Sequence, residues 1–245
     1  MRGFAPHCLV ALLLLACGAC ARSPAKNALA EWVRSPNHNA RNAILIVLHA
    51  TEQDSAAQSL LTLRTRNSGG PVSAHYLIGR DGRLYQLVAE DRRAWHAGPG
   101  RWGTITDVNS ASIGIELDNS GRDAFAEAQI LSLLGLLDDI CRRLDIPRTQ
   151  VIGHADMAPT RKQDPGARFP WARLAAAGFG RWPASPIEQP PAGFDAAVAL
   201  QTLGYPMADP AAAIVAFHRH FRGIESSEGV LDEEDRRILF MLIGN

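Results

Sequence analysis

Ile44-Leu45-Ile46-Val47-Leu48-His49-Ala50-Thr51 is a continuous apolar run, rich in β-branched residues, that stops on a histidine. It reads as a buried central strand, because a strand covered on both faces loses the apolar–polar alternation of a half-exposed one. Val151-Ile152-Gly153-His154 is a second apolar strand ending on a histidine, and Ser112-Ile113-Gly114-Ile115-Glu116-Leu117 is a third strand with a carboxylate inside it. Asp54 is expected to cap a helix running to about Arg66. Another helix is expected over 125–144, with Ile130, Leu133, Leu134, Leu137, Ile140, Cys141 and Leu144 on its apolar side. His75-Tyr76-Leu77-Ile78 and Leu84-Tyr85-Gln86-Leu87-Val88 flank Asp81-Gly82, a strong hairpin signal. Strands interleaved with helices predict an α/β domain whose mixed central sheet is flanked by helices.

Charge narrows the function classes. The chain has 245 residues with 25 basic and 25 acidic side chains, and zero net charge argues against a nucleic-acid partner, whose binding rests on phosphate neutralisation. Arg2 precedes the apolar stretch Leu9-Val10-Ala11-Leu12-Leu13-Leu14-Leu15-Ala16, too short for a stable membrane span and patterned like an export signal. It ends in Leu14-Leu15-Ala16-Cys17-Gly18-Ala19-Cys20, which resembles a bacterial lipobox. Cys17 fits lipidation best, with Cys20 the alternative, and an ordinary cleaved signal is the plainer possibility. No Asp follows either cysteine at the second position, which implies outer-membrane sorting. Cys141, alone in the body of the chain, reads as a small buried residue.

The expected organisation is a lipoprotein signal over 1–20, a polar tether over 21–40 and a catalytic domain over 41–180. A Pro-rich linker (Pro183, Pro186, Pro190, Pro191) covers 181–193, and a small all-helical module follows over 194–245. The segment from Trp95 to Val108, rich in Gly and Trp, reads as a long ordered loop.

His49, His154 and Asp164 are candidate metal ligands. Two imidazoles and one carboxylate leave the fourth tetrahedral position to water, the arrangement of a catalytic zinc site. A lone histidine at a strand end is more often structural, so both readings stay open on the residues alone. Asp164 sits in a loop constrained by Pro159, Pro165 and Gly166, and fixed geometry suits a ligand. Glu116 inside its apolar strand is expected to face a polar cleft, since a buried unpaired carboxylate is costly. The plainer alternative is an edge-strand glutamate in solvent. Lys162, two residues before Asp164, would bring an ammonium to the same place, although a solvated loop lysine fits the residue equally.

The segments together resemble the zinc-dependent N-acetylmuramoyl-L-alanine amidases of the amidase-2 type, relatives of the peptidoglycan recognition proteins and of the amidase-type phage lysozymes. The matching stretches are Leu45 to Thr51, Ser73-Ala74-His75-Tyr76-Leu77-Ile78, Ala94-Trp95-His96-Ala97-Gly98, Ser112 to Asn119, and Gly153 to Pro159 continuing to Asp164-Pro165-Gly166. They cover residues 44–175 in the family's order. With the lipobox and the helical C-terminus, the chain is most similar to the outer-membrane lipoprotein members.

The resemblance implies one zinc ion per chain held by His49, His154 and Asp164, with Glu116 and Lys162 as the catalytic pair. It implies cleavage of the amide between N-acetylmuramic acid, or its 1,6-anhydro form, and L-alanine in peptidoglycan, for cell-wall turnover. It places His75, Trp95, His96, Asn119 and Arg161 along the substrate groove, although Trp95 and His96 could equally be core packing under the loop. The implied setting is the periplasm, with a lipid anchor in the outer membrane and a monomeric chain. The alternative function is a non-catalytic peptidoglycan-binding lipoprotein, but such proteins lose a ligand and this chain keeps all three candidates. Ala50 stands where the family usually has an aromatic residue or histidine, which alters the pocket wall rather than the ligand set. Leu200 to Tyr205 and Ile214 to Phe221 look like a peptidoglycan-binding helical module, with His218 in place of the usual Gln and without the glycine-rich middle.

Overall fold

A computed structural model describes residues 26–40, 43–185 and 187–244. The expected export signal over 1–20 and its Cys17 lie outside those residues. The elements run β1 (Glu31–Trp32), β2 (His38–Ala40), β3 (Leu45–Ala50), α1 (Ala56–Arg64), β4 (Arg66–Asn67), β5 (Gly70–Pro71), β6 (Tyr76–Ile78), β7 (Leu84–Gln86) and β8 (Arg92–Ala94). There follow α2 (Val108–Ala111), β9 (Ser112–Leu117), α3 (Glu127–Leu144), β10 (Val151–Gly153), α4 (His154–Met157) and α5 (Trp171–Ala176). The C-terminal part holds α6 (Ala196–Leu203), α7 (Pro210–Phe217), a π-helical turn (His218–Arg222) and α8 (Glu233–Ile243).

The main sheet has six strands in the order β1-β7-β6-β9-β3-β10, and only the β6–β7 hairpin is antiparallel in it. The expected mixed sheet flanked by helices is therefore present. Every residue of β3 is buried, as its unbroken apolar run requires. Ile46 and Leu48 face the core made with α3 and α5, while Leu45 and Val47 face a second core with Ala97, Val108, Ile152 and Met157. On β9 the residues alternate. Ile113, Ile115 and Leu117 join the α3 core, leaving Ser112, Gly114 and Glu116 to the opposite face.

Several boundaries differ from expectation. Ser55, not Asp54, caps α1, its Oγ accepting from the Gln58 N–H, and the helix ends at Arg64 because Arg66 is taken into the β4–β5 pair. His154 does not end a strand but opens α4, where Asp156 accepts the Gly153 N–H. The expected tether over 21–40 is, from residue 26 on, part of the folded domain. Its backbone pairs β1 with β7 and β2 with β8, and buried Asn27 donates from Nδ2 to Asp139 and from its N–H to Gln86 Oε1. This attachment uses hydrogen bonds more than apolar burial, so hydropathy does not reveal it.

The C-terminal helices have their own apolar core, centred on Leu200, Leu203, Phe217, Ile238 and Leu239. Asp195, Asp209 and Asp232 cap α6, α7 and α8 through their carboxylates. The C-terminal helices pack on the sheet domain through Ala155 of α4 and Trp102 of the 95–108 loop, and His220 stacks on Trp171 at 3.7 Å between ring centroids. No helix among the described residues is long and apolar enough to cross a membrane.

Candidate functional site

Three neighbouring parallel strands deliver the site to one edge of the sheet. Near the end of β3, His49 pairs with Glu116 on β9, and on the other side Leu48 pairs with Gly153, the residue before His154. The carboxyl ends of parallel strands are where ligands bind in α/β sheets. Gly153 has no substitute here: a Cβ would lie 2.9 Å from Pro165 Cδ and 3.2 Å from the Trp171 ring. Asp164 arrives from the following loop, pinned where its carbonyl accepts the Ala155 N–H at 2.9 Å.

The three donor atoms converge. His49 Nδ1 lies 2.9 Å from His154 Nδ1 and 3.2 Å from Asp164 Oδ2, and His154 Nδ1 lies 3.1 Å from the same oxygen. All three side chains are buried. Zinc bonds of about 2.0–2.1 Å in a tetrahedron would separate ligand atoms by roughly 3.3 Å, so these spacings suit a single small cation. The rear nitrogens are tied: His154 Nε2–H donates to the Ala97 carbonyl at 2.8 Å, and His49 Nε2 lies 2.9 Å from His96 Nδ1. Burial, and next the adjacent His154, hold the His49 pKa down to about 4, so its imidazole is neutral, as a ligand must be. Burial pushes the Asp164 carboxyl up, but the neighbouring His154 and His49 outweigh it and keep Asp164 well below the usual carboxylate range. The donor set fits a metal ion.

A cleft of about 290 Å3 opens on these atoms and is also lined by Glu116 and Lys162. Glu116 Oε2 is buried without a hydrogen-bond partner. Burial and the nearby Asp164 push the Glu116 carboxyl up to about 8, against the opposing pull of Lys162. The cleft then extends past Thr51, Glu52 and Gln53 to Thr62, Asn67 and Val72. Sequence reasoning missed this second wall, which comes from α1 and the β4–β5 turn. One signal is structural: Glu52 takes a left-handed backbone, φ 51°, which turns the chain sharply after the ligand strand.

The five residues expected along a substrate groove divide differently. His96 lines the cleft, but its ring is packed against His49. His75 is fully buried, its Nε2–H donating to the Arg92 carbonyl and its Nδ1 accepting the Gly114 N–H, so it is a strut between strands. Asn119 is buried and holds its own loop, Oδ1 accepting from Gly121 N–H and Nδ2 donating to the Asp123 carbonyl. Trp95 is half-buried, does not line the cleft, and pairs its backbone with Ser73. Arg161 lies outside the cleft and clamps the 97–99 loop by donating to the Ala97 and Pro99 carbonyls.

The profile of the amidase-2 family, described as N-acetylmuramoyl-L-alanine amidase, matches residues 39–167, about half of the chain. N-acetylmuramoyl-L-alanine amidase AmiD of Escherichia coli K12 is 42% identical over 156 residues, covering 57% of this chain and 54% of AmiD. The 1,6-anhydro-N-acetylmuramyl-L-alanine amidase AmpD of Citrobacter freundii is 42% identical over 105 residues, covering 43% and 56%. The chain thus spans about half the length of these curated relatives. Solved structures match over more of it. E. coli AmiD in complex with the substrate anhydro-N-acetylmuramic acid-L-Ala-D-γ-Glu-L-Lys has a TM-score of 0.72 at 34% identity, covering 86% of this chain and 92% of AmiD. AmpDh3 of Pseudomonas aeruginosa in complex with anhydromuramic pentapeptide has a TM-score of 0.72 at 32% identity, covering 86% and 95%. With the three candidate ligands falling inside the matched region, the chain belongs to the N-acetylmuramoyl-L-alanine amidase family of the amidase-2 type.

Proposed function

We propose that the chain is a zinc-dependent hydrolase of the amide between N-acetylmuramic acid, or its 1,6-anhydro form, and L-alanine of the peptidoglycan stem, serving cell-wall turnover. The observation that carries this is one cleft in which a convergent His49–His154–Asp164 set, an unpartnered buried carboxylate and a lysine meet. The anhydromuramyl peptides held by the two solved relatives support the substrate class.

One zinc ion held by those three residues would polarise water and lower its pKa toward neutrality. Glu116 takes the proton of the attacking water at Oε2 and returns it to the L-alanine nitrogen as the C–N bond breaks. A carboxylate that lines the same cleft can do both in turn. Lys162 Nζ offers its charge to the oxygen that turns anionic when the carbonyl becomes tetrahedral.

We also propose a periplasmic location with a lipid on Cys17 in the outer membrane, a monomeric chain, and the division into catalytic domain (41–180), linker (181–193) and helical module (194–245). The Leu14-Leu15-Ala16-Cys17 motif supports the anchor. Cys17→Ala is expected to abolish incorporation of labelled fatty acid, and continued labelling would move the anchor to Cys20.

Digestion of purified muropeptides, with and without a chelator and read by mass spectrometry, tests the activity. Whole stem peptides beginning with L-alanine, released only without chelator, are expected. Shortened peptides would indicate a peptidase, and no cleavage by a zinc-loaded chain would leave a binding protein.

A further inference from the structure

Behind His49 lies a second buried group of polar side chains that ends at a backbone carbonyl. Ser112 Oγ donates to the Val108 carbonyl at 2.5 Å and lies 3.2 Å from His96 Nε2. His96 Nδ1 lies 2.9 Å from His49 Nε2, and His49 Nδ1 is one of the three convergent donor atoms. Ser112 is fully buried, and His96 and His49 are nearly so.

Proton counting gives this row one direction. A hydroxyl has one hydrogen and a carbonyl can only accept, so the Ser112 proton points at Val108. Ser112 Oγ must then accept, and the hydrogen between it and His96 belongs to His96 Nε2. In neutral imidazole the other nitrogen is bare, so His96 Nδ1 accepts the hydrogen of His49 Nε2. His49 Nδ1 is left with a free lone pair, aimed at His154 Nδ1 and Asp164 Oδ2.

The surroundings hold this row in place. The backbone N–H groups of His96 and Ala97 both donate to Asn109 Oδ1, at 3.0 and 2.8 Å. The His96 ring lies over Gly114, where a Cβ would come within 2.4 Å of its Cγ, so glycine at this place in β9 makes room for the ring. Ser112, Gly114 and Glu116 share one face of β9, so the same strand that presents the carboxylate also seats His96.

We infer that His96, oriented by Ser112, is a positioning residue that fixes the His49 tautomer and so sets the affinity of the site for its metal. His96 has this role only if His49 binds zinc as proposed. Outer partners of ligand histidines contribute about 10–100-fold in metal affinity. Asparagine at 96 can place its Oδ1 near the position of Nδ1 and keep the acceptor, whereas phenylalanine keeps the bulk and loses it.

The test is zinc affinity of the purified chain, measured by competition with a chromophoric chelator, with circular dichroism as the check on folding. His96→Phe is expected to weaken zinc binding about 10–100-fold. His96→Asn should recover most of the loss, and Ser112→Ala should weaken binding by a smaller factor. Wild-type affinity in folded His96→Phe, or equal losses in His96→Asn and His96→Phe, would overturn the inference. Should His96→Phe not fold, 15N imidazole spectra of the wild-type chain decide. Nε2–H tautomers at His96 and His49 are expected, and an Nδ1–H tautomer at His96 would overturn the proposal. Failure of the wild-type chain to bind zinc at all would instead remove the metal reading itself.

Discussion

The Tyr205 hydroxyl donates to Asp156 Oδ1 across 2.6 Å, tying the C-terminal helices to α4, the element that opens with the candidate ligand His154. The other oxygen of Asp156 accepts from the Gly153 N–H and from His220 Nδ1–H, each at 2.7 Å. Removing a hydrogen bond to a buried carboxylate costs about 1.5–3 kcal/mol. We predict that Tyr205→Phe lowers the melting temperature by roughly 3–12 °C for a chain of this size. Unchanged melting by near-ultraviolet circular dichroism would mean that this contact does not hold the module.

Glu116→Gln is predicted to keep the metal and lose turnover by about 10²–10⁴-fold. Zinc content by mass spectrometry and stem-peptide release together check this, and wild-type release would exclude Glu116 as the proton carrier.

The same substitution should help stability in metal-free protein. The Glu116 carboxyl rises from an ordinary 4.5 to about 8 on folding, so the folded chain holds an extra proton between those values. Stability from this group is full below pH 4.5 and falls as pH rises toward 8. Glu116→Gln, whose amide has no proton to lose, is expected to flatten that decline. Denaturant melts across the window would show it, and parallel curves for the two proteins would contradict it.

Lys162→Ala is predicted to lower kcat by about 10²–10³-fold, as loss of one oxyanion donor does. KM and zinc content should stay near wild type. A rise in KM alone would assign Lys162 to holding substrate.

Chelation should remove both activity and stability. Free zinc at a hundred times its Kd stabilises by about 2.7 kcal/mol, an upward shift in melting temperature of roughly 5–10 °C. His49→Ala and Asp164→Asn should abolish that shift. A zinc-dependent shift that survives both substitutions would place the ion elsewhere.

Much of this was legible in the chain because its signals are local. The unbroken run at 45–50 and the buried carboxylate at 116 are visible in a few consecutive residues. The polar residues given to a groove were harder to place, because a motif shows that His75, Asn119 and Arg161 matter but not which way they face. Their hydrogen bonds turn His75 inward, Asn119 onto its own loop and Arg161 onto the 97–99 carbonyls. Ser112 and Gly114 were legible as part of a strand and a matching stretch but not as a seat for His96, since a serine and a glycine in a strand take that meaning only from the ring that packs on them. Asp156 likewise finds Tyr205 and His220, 49 and 64 residues away, by tertiary packing alone.

His49 stands opposite Glu116 in a ladder of six paired positions between Leu45–Ala50 and Ser112–Leu117. A slip of one residue would bring Ile115 or Leu117 to that place and turn the apolar side chains of β9 away from α3. The spacing between the candidate ligand and the proposed acid–base group therefore cannot drift independently of the sheet. Insertions in the surrounding loops leave it untouched, whereas a single added codon in either strand would abolish chemistry and foldability together. Selection acting on one is selection on the other, and the loops that wall the cleft are left free to diversify around a fixed reactive centre.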